Sequence, residues 1–176
     1  MTPPSPLRVA LRTSLVVIVV LAIQLGIAPG LSLFDVQAEL PLLVAIGAGI
    51  STGPDRGAII AFGTGIAYDL LLQTPFGLSA LTYALVAYAV GGMQDSVLRA
   101  AWWIPVTTAA IASSVGVILY GVFGTVLGED LINLDLLRIA AIVGLLNALA
   151  SPLVLPAVGW AAGGRGRSMP MRAVYR

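Results

Sequence analysis

The stretch Gly65-Ile66-Ala67-Tyr68-Asp69-Leu70-Leu71, followed through Thr74-Pro75 by Phe76-Gly77-Leu78-Ser79-Ala80-Leu81, decides how this chain is read. An apolar run ends close to a single carboxylate. A Thr-Pro pair breaks the helix pattern, and a second apolar run begins at once. Extended outward, these become two predicted membrane helices, Gly57–Gln73 and Phe76–Met93. The rest of the sequence has the same character. Of 176 residues, 59% are hydrophobic and 10% charged, and mean hydropathy is +1.00. Soluble domains carry about 25% charged residues, so a water-soluble globule and a disordered tail are both excluded. What remains is an all-α polytopic membrane protein, a bundle of about six transmembrane helices.

A spanning helix needs about 20 apolar residues, and charges and turn residues mark four further candidates. The first is Thr13–Leu33. Arg8 and Arg12 precede its apolar run Leu15–Ile23 as in a signal peptide. The run continues past Leu25 to Phe34 without a convincing small-x-small site, so an uncleaved span is expected. The second, Phe34–Ser51, is the weakest, with Asp35, Glu39 and Pro41 near its start. The fifth is Ala101–Leu127 and the sixth Leu134–Trp160. Residues 1–162 are expected to form one transmembrane domain, and Gly163–Arg176 a basic, mobile tail.

Six spans put both termini on one face, together with Arg56 and Arg99. Eight of the nine Arg residues then share that face, which the positive-inside rule makes cytoplasmic. Asp35, Glu39, Glu129, Asp130 and Asp135 collect opposite. A re-entrant second segment lowers the bias to six of nine, so the charge count favours six spans. Trp102, Trp103 and Trp160 fall near the cytoplasmic ends, where aromatic belts sit. The expected location is the bacterial cytoplasmic membrane, crossed several times.

The composition also limits chemistry. All basic residues are Arg, and there is no Cys, His or Lys. Thiolate chemistry, the commonest general base and most transition-metal sites are therefore absent. No basic stripe outside the tail suits nucleic acid. Gly63-Thr64-Gly65 lacks the Lys of a phosphate loop, and Ser113-Ser114 has no base at matching depth. Neither an enzyme nor a cofactor is expected.

Asp69 is the one acid well inside a span, roughly 6 Å below the boundary at 1.5 Å per residue. It serves either as a ligand, proton or partner site, or as a satisfied structural carboxylate. Arg138 lies at matching depth in the sixth span. It forms an ion pair with Asp69 or joins a short polar network that includes Asn147, or else it snorkels outward and meets Asp135. Small residues form ridges at Ala140, Gly144 and Ala148, and at Ala112, Gly116, Gly124 and Gly128. Such ridges let helices approach closely, within the bundle or against a partner. Pro105, Pro152 and Pro156 are expected to kink or end their helices.

The opening string resembles the MreD family, small membrane subunits of the bacterial rod-shape machinery, or elongasome. The resemblance rests on Gly65, on Asp69-Leu70 near the end of a span, on Gly77, on Ala80-Leu81 and on Tyr88, with Pro54 and Gly57 in the preceding turn. It covers roughly Pro41–Gly92. Leu42 stands where the family often has Asp after the proline. The resemblance implies a non-enzymatic scaffold that associates with MreC and the cytoskeletal MreB, near RodA and its partner transpeptidase, where side-wall peptidoglycan is made. Gly65, Asp69, Gly77 and Tyr88 carry over as motif positions. Arg138 and Asn147 join them from the polar reading above as structural or partner-binding candidates. The competing class is a substrate-binding subunit of an energy-coupling-factor vitamin transporter, with Asp69 and Arg138 lining an outer pocket.

Overall fold

A computed structural model describes residues 5–27, 30, 32, 35–72, 75–94, 97, 103–128 and 134–163. Six long helices follow one another among them: α1 (Pro6–Gly26), α2 (Leu40–Thr52), α3 (Pro54–Asp69), α4 (Leu78–Gly92), α5 (Trp103–Val126) and α6 (Leu134–Ala161). Trp102, Arg99, the acidic pair Glu129-Asp130 and the tail beyond Gly163 lie outside the described residues.

Proline and glycine set several helix bounds. Proline stands in the first two helical positions of α1, α2 and α3, where its missing N–H has no intrahelical partner to lose. This draws the start of α1 forward to Pro6, so Arg8 and Arg12 sit inside the helix instead of preceding it. Gly53, at φ +87°, separates α2 from α3. That turn falls within the Thr52–Arg56 segment expected from sequence.

The central helices are shorter than expected. The second segment becomes helical only at Leu40 and runs 13 residues, about 20 Å. α3 has 16 residues and α4 has 15. Among the described residues, three helices (α1, α5 and α6) are long and apolar enough to cross a membrane.

α2 occupies the centre and packs against all five other helices, and ten of its residues are buried. Its core partners include Tyr68 on α3 and Tyr83, Val86 and Ala87 on α4. Glycine makes the close contacts possible. A Cβ on Gly57 would stand 2.6 Å from the Cα of Gly49, and one on Gly91 2.6 Å from the Cα of Pro54. One on Gly65 would lie 2.8 Å from the Ser79 carbonyl carbon and nearer still to the Ala80 backbone. Backbone therefore meets backbone across α2, α3 and α4, the packing that small residues permit in lipid.

Most of the small-residue ridge positions of α5 and α6 pack inside the bundle, whereas Gly128 lies beyond α5 and is exposed. Ala112, Gly116 and Ala140 are buried. Gly144 faces Ser114 and the Ala110 carbonyl, and Gly116 faces Leu42. The Ser114 hydroxyl lies 2.9 Å from the Ala140 carbonyl, bridging α5 to α6, and 3.1 Å from its own helix's Ala110 carbonyl.

α6 continues through both Pro152 and Pro156 instead of ending at either. Pro152 cannot donate to the Ala148 carbonyl, and the Ser151 hydroxyl donates to that carbonyl at 2.7 Å. A neighbouring side chain thus re-satisfies the freed acceptor. Thr64, Thr82 and Thr125 place their hydroxyls on carbonyls one turn back, which hides polar groups in an apolar setting.

α1 is the outlier. Val20, Leu21 and Gln24 are buried, but Leu7, Leu11, Leu15 and Ile18 form an exposed apolar stripe. The Arg12 guanidinium sits 4.6 Å from the Trp160 ring centre, within cation–π range. The start of α1 and the end of α6 therefore share one end of the bundle.

Candidate functional site

A hydrogen-bonded set of largely buried polar side chains lies toward the other end. Asp69, the last residue of α3, is 3% exposed. One carboxylate oxygen accepts the Gly77 N–H at 2.9 Å and the Ala80 N–H at 3.4 Å, and the other accepts the Ser79 N–H at 3.3 Å. Gly77 is the N-cap of α4, so these donors are the cap, second and third N–H groups of that helix. A helix start leaves such donors unpartnered and carries a partial positive charge. Asp69 supplies both acceptor and countercharge across the turn.

The spacing in the sequence motif follows from this geometry. Gly77 adopts φ +92°, a left-handed conformation open to glycine, and this presents its N–H to a carboxylate eight residues earlier. Gly65, one helical turn before Asp69, brings α3 onto the α4 backbone. Asp69 and Gly77 thus form a cap, and Gly65 sets the approach of the two helices.

The expected partner is elsewhere. The bonds of Asp69 run to the α4 N-terminus, and Arg138 is not among them. Arg138 is exposed on α6, which packs on α5 and α2. The physical reason is proximity: three backbone donors in the adjoining turn already satisfy the carboxylate.

Asn147 is fully buried on α6 and belongs to a different network. Its carbonyl oxygen accepts the Glu39 N–H at 3.0 Å. Its amide donates to the Glu39 carbonyl at 3.0 Å and to the Ser113 hydroxyl at 2.8 Å. Gln24 of α1 does the same one residue to either side, donating to the Ala38 carbonyl at 3.0 Å and accepting the Leu40 N–H at 2.9 Å. Two amide side chains from opposite ends of the sequence therefore clamp the backbone that enters α2. The Tyr83 hydroxyl donates to the Glu39 carboxylate at 2.7 Å, and its ring stacks on Tyr68 with centres 6.3 Å apart. Tyr88 projects outward and is 56% exposed.

Gln24, Glu39 and Tyr83 were not singled out in the sequence. Glu39 read as an acid in the first turns of the second span, and no local pattern links it to residues 44 and 108 positions away. An available signal was a Gln near the end of the apolar run that starts at Leu15, since a buried amide must find partners.

Two concavities flank this framework. A groove of about 930 Å³ runs between α1 and α3, lined by Val17, Ile18, Ile59 and Ile60 with Arg56 at one end. A cavity of about 370 Å³ opens beside Glu39, bounded by Asp35, Tyr68, Tyr120 and apolar side chains. Asp69 and Arg138 are not among the described residues lining it. Among those residues no group of three metal-ligating side chains occurs.

A buried helical framework with an apolar exterior and a polar clamp at one end defines a membrane-embedded helical protein. Residues 7–156 match the family described as rod shape-determining protein MreD, and the chain belongs to that family. It is a family of bacterial membrane proteins that determine cell shape. Searches of curated proteins and of solved structures found no match.

Proposed function

We propose that this protein is a non-enzymatic scaffold of the cell-wall elongation complex, binding MreC and, with MreB, RodA and a transpeptidase, helping to localise peptidoglycan synthesis. Family membership supports the shape-determining role. The observation that carries the scaffolding role is the unpartnered outer surface of the bundle. Leu7, Leu11, Leu15 and Ile18 on α1, and Leu145, Leu149 and Leu153 on α6, present apolar stripes at helical spacing. Within α5 and α6 most of the small-residue ridge positions already pack inside the bundle, and the leucine faces are offered to partner spans. In the bilayer we place all six helices across the membrane with both termini cytoplasmic. The Arg distribution supports that orientation. So does the shared end of the bundle, where Pro6, Thr52, Arg56 and Ala162 line one groove.

The test is depletion with microscopy, paired with affinity recovery of the full chain. Rounded cells and co-recovery of a single-span periplasmic coiled-coil protein are expected. Leu145→Ser with Leu149→Ser should reduce that recovery while protein levels hold. Normal rods after depletion would overturn the role in shape. Unchanged recovery from the double variant and from Leu11→Ser with Leu15→Ser would remove both stripes as docking faces.

A further inference from the structure

We infer that the 370 Å³ cavity beside Glu39 is a binding site for a primary ammonium group carried on a short aliphatic stem. Its described lining contains two carboxylates, Asp35 and Glu39, and no basic side chain. Glu39 is partly buried and accepts one side-chain hydrogen bond, from Tyr83. A carboxylate has about four acceptor positions, so most of its capacity is unspent. Carboxylates withdrawn from water without a cation are costly, and a positive group offsets that cost.

Tyr68 is a second, independent pointer. It lines the cavity, is 8% exposed, and its hydroxyl makes no hydrogen bond among the described residues. A hydroxyl on a side chain this largely buried normally has a partner. Here a ligand N–H would supply it, and the tyrosine ring adds a face that attracts cations. Asp35 is exposed at the rim, held at φ +64°, and offers a second charge to the incoming group.

The opposite wall fixes the rest of the ligand. Leu72, Val117, Ile139 and Val143 provide apolar contact that suits methylenes and gives nothing to a second charge. An ammonium donates three hydrogen bonds, which Glu39, Asp35 and the Tyr68 hydroxyl can accept between them. An anion would meet two carboxylates and no counter-charge. This site goes beyond the scaffolding role and does not rest on it, since its chemistry is set by side chains of this chain alone.

The experiment uses the full chain in nanodiscs of zwitterionic lipid and n-butylammonium chloride as probe. Sodium chloride at equal concentration and 1-butanol are the controls. Butylammonium should raise the unfolding temperature along a saturable curve, by linkage to the folded state, and the two controls should not. Glu39→Gln should weaken the apparent affinity about tenfold or more, and Asp35→Asn about threefold, the scale of lost charge-assisted hydrogen bonds. Equal stabilisation by sodium or butanol would overturn the site, as would an unchanged response in both variants. If Glu39→Gln does not fold, Val117→Trp, which adds bulk to the wall from α5, carries the test. Undiminished butylammonium binding in that variant also overturns it.

Discussion

Replacing Asp69 tests the interaction that joins the two motif helices. The carboxylate accepts the Gly77, Ser79 and Ala80 N–H groups and is itself almost wholly buried. Asp69→Ala leaves three donors without a partner, and each buried unsatisfied group costs about 1–3 kcal/mol. Taking the lower figure for each gives a loss of about 3 kcal/mol. Asp69→Asn retains one acceptor oxygen, which can turn toward Gly77 and Ala80. Its amide then faces the Ser79 N–H, so a loss of about 1–2 kcal/mol is expected. By the scaling of domains this size, roughly 2–4 °C per kcal/mol, the Ala variant should unfold about 6–12 °C below the parent in nanodiscs. The assay is a thermal melt of parent, both Asp69 variants, Arg138→Gln and the double variant Asp69→Asn with Arg138→Gln. Because Arg138 is not among the partners of Asp69, the double variant should be additive within about 0.5 kcal/mol. An Ala variant as stable as the parent would falsify the cap. A coupling well above 0.5 kcal/mol would restore the ion pair in its place.

Three further outcomes follow from the packing. Gly65→Ala should cost about 1–3 kcal/mol, because its Cβ meets the Ala80 backbone. Gly63→Ala, with open space at its Cβ, should be neutral or slightly stabilising; similar melting points for the two would refute close α3–α4 contact. Asn147→Leu removes three hydrogen bonds at once and leaves the Glu39 backbone groups unmet, a loss of about 3 kcal/mol, visible as accelerated amide exchange at residues 38–40. Tyr83→Phe should destabilise by about 1 kcal/mol through the lost bond to Glu39, whereas Tyr88→Phe should leave the melt unchanged.

Much of the helical layout could be read from the sequence, because it depends on local signals. Pro6, Pro41 and Pro54 open helices, Gly53 ends one, and the apolar runs between them are continuous. Helix lengths were read less well. The second span was drawn from Phe34 despite Asp35 and Glu39 near its start, yet α2 starts only at Leu40, where Gln24 and Asn147 take up the backbone groups that flank its start. Those bonds come from distant parts of the chain and leave no periodic trace. Asp69 and Asn147 were both recognisable as polar residues needing partners, but not the partners they have. The pairing with Arg138 rested on matched depth and opposite charge. Backbone donors are present in every sequence, so nothing in the residue string favours them over a cation. Tyr88 matched a family spacing, whereas Tyr83, five positions earlier, holds the Glu39 carboxylate.

The two fastenings of α1 have a consequence for how the molecule moves. α2, α3 and α4 are locked backbone to backbone, and α5 is locked to α6 at Gly144, so sliding within either group is blocked. α1 has no comparable lock: Gln24 tethers one end and the Arg12–Trp160 contact the other. It is the element to swing away first, pivoting at Gln24 once the arginine lets go. Because that same glutamine grips the entrance to α2, a pull on the N-terminal helix is delivered straight to the middle of the bundle.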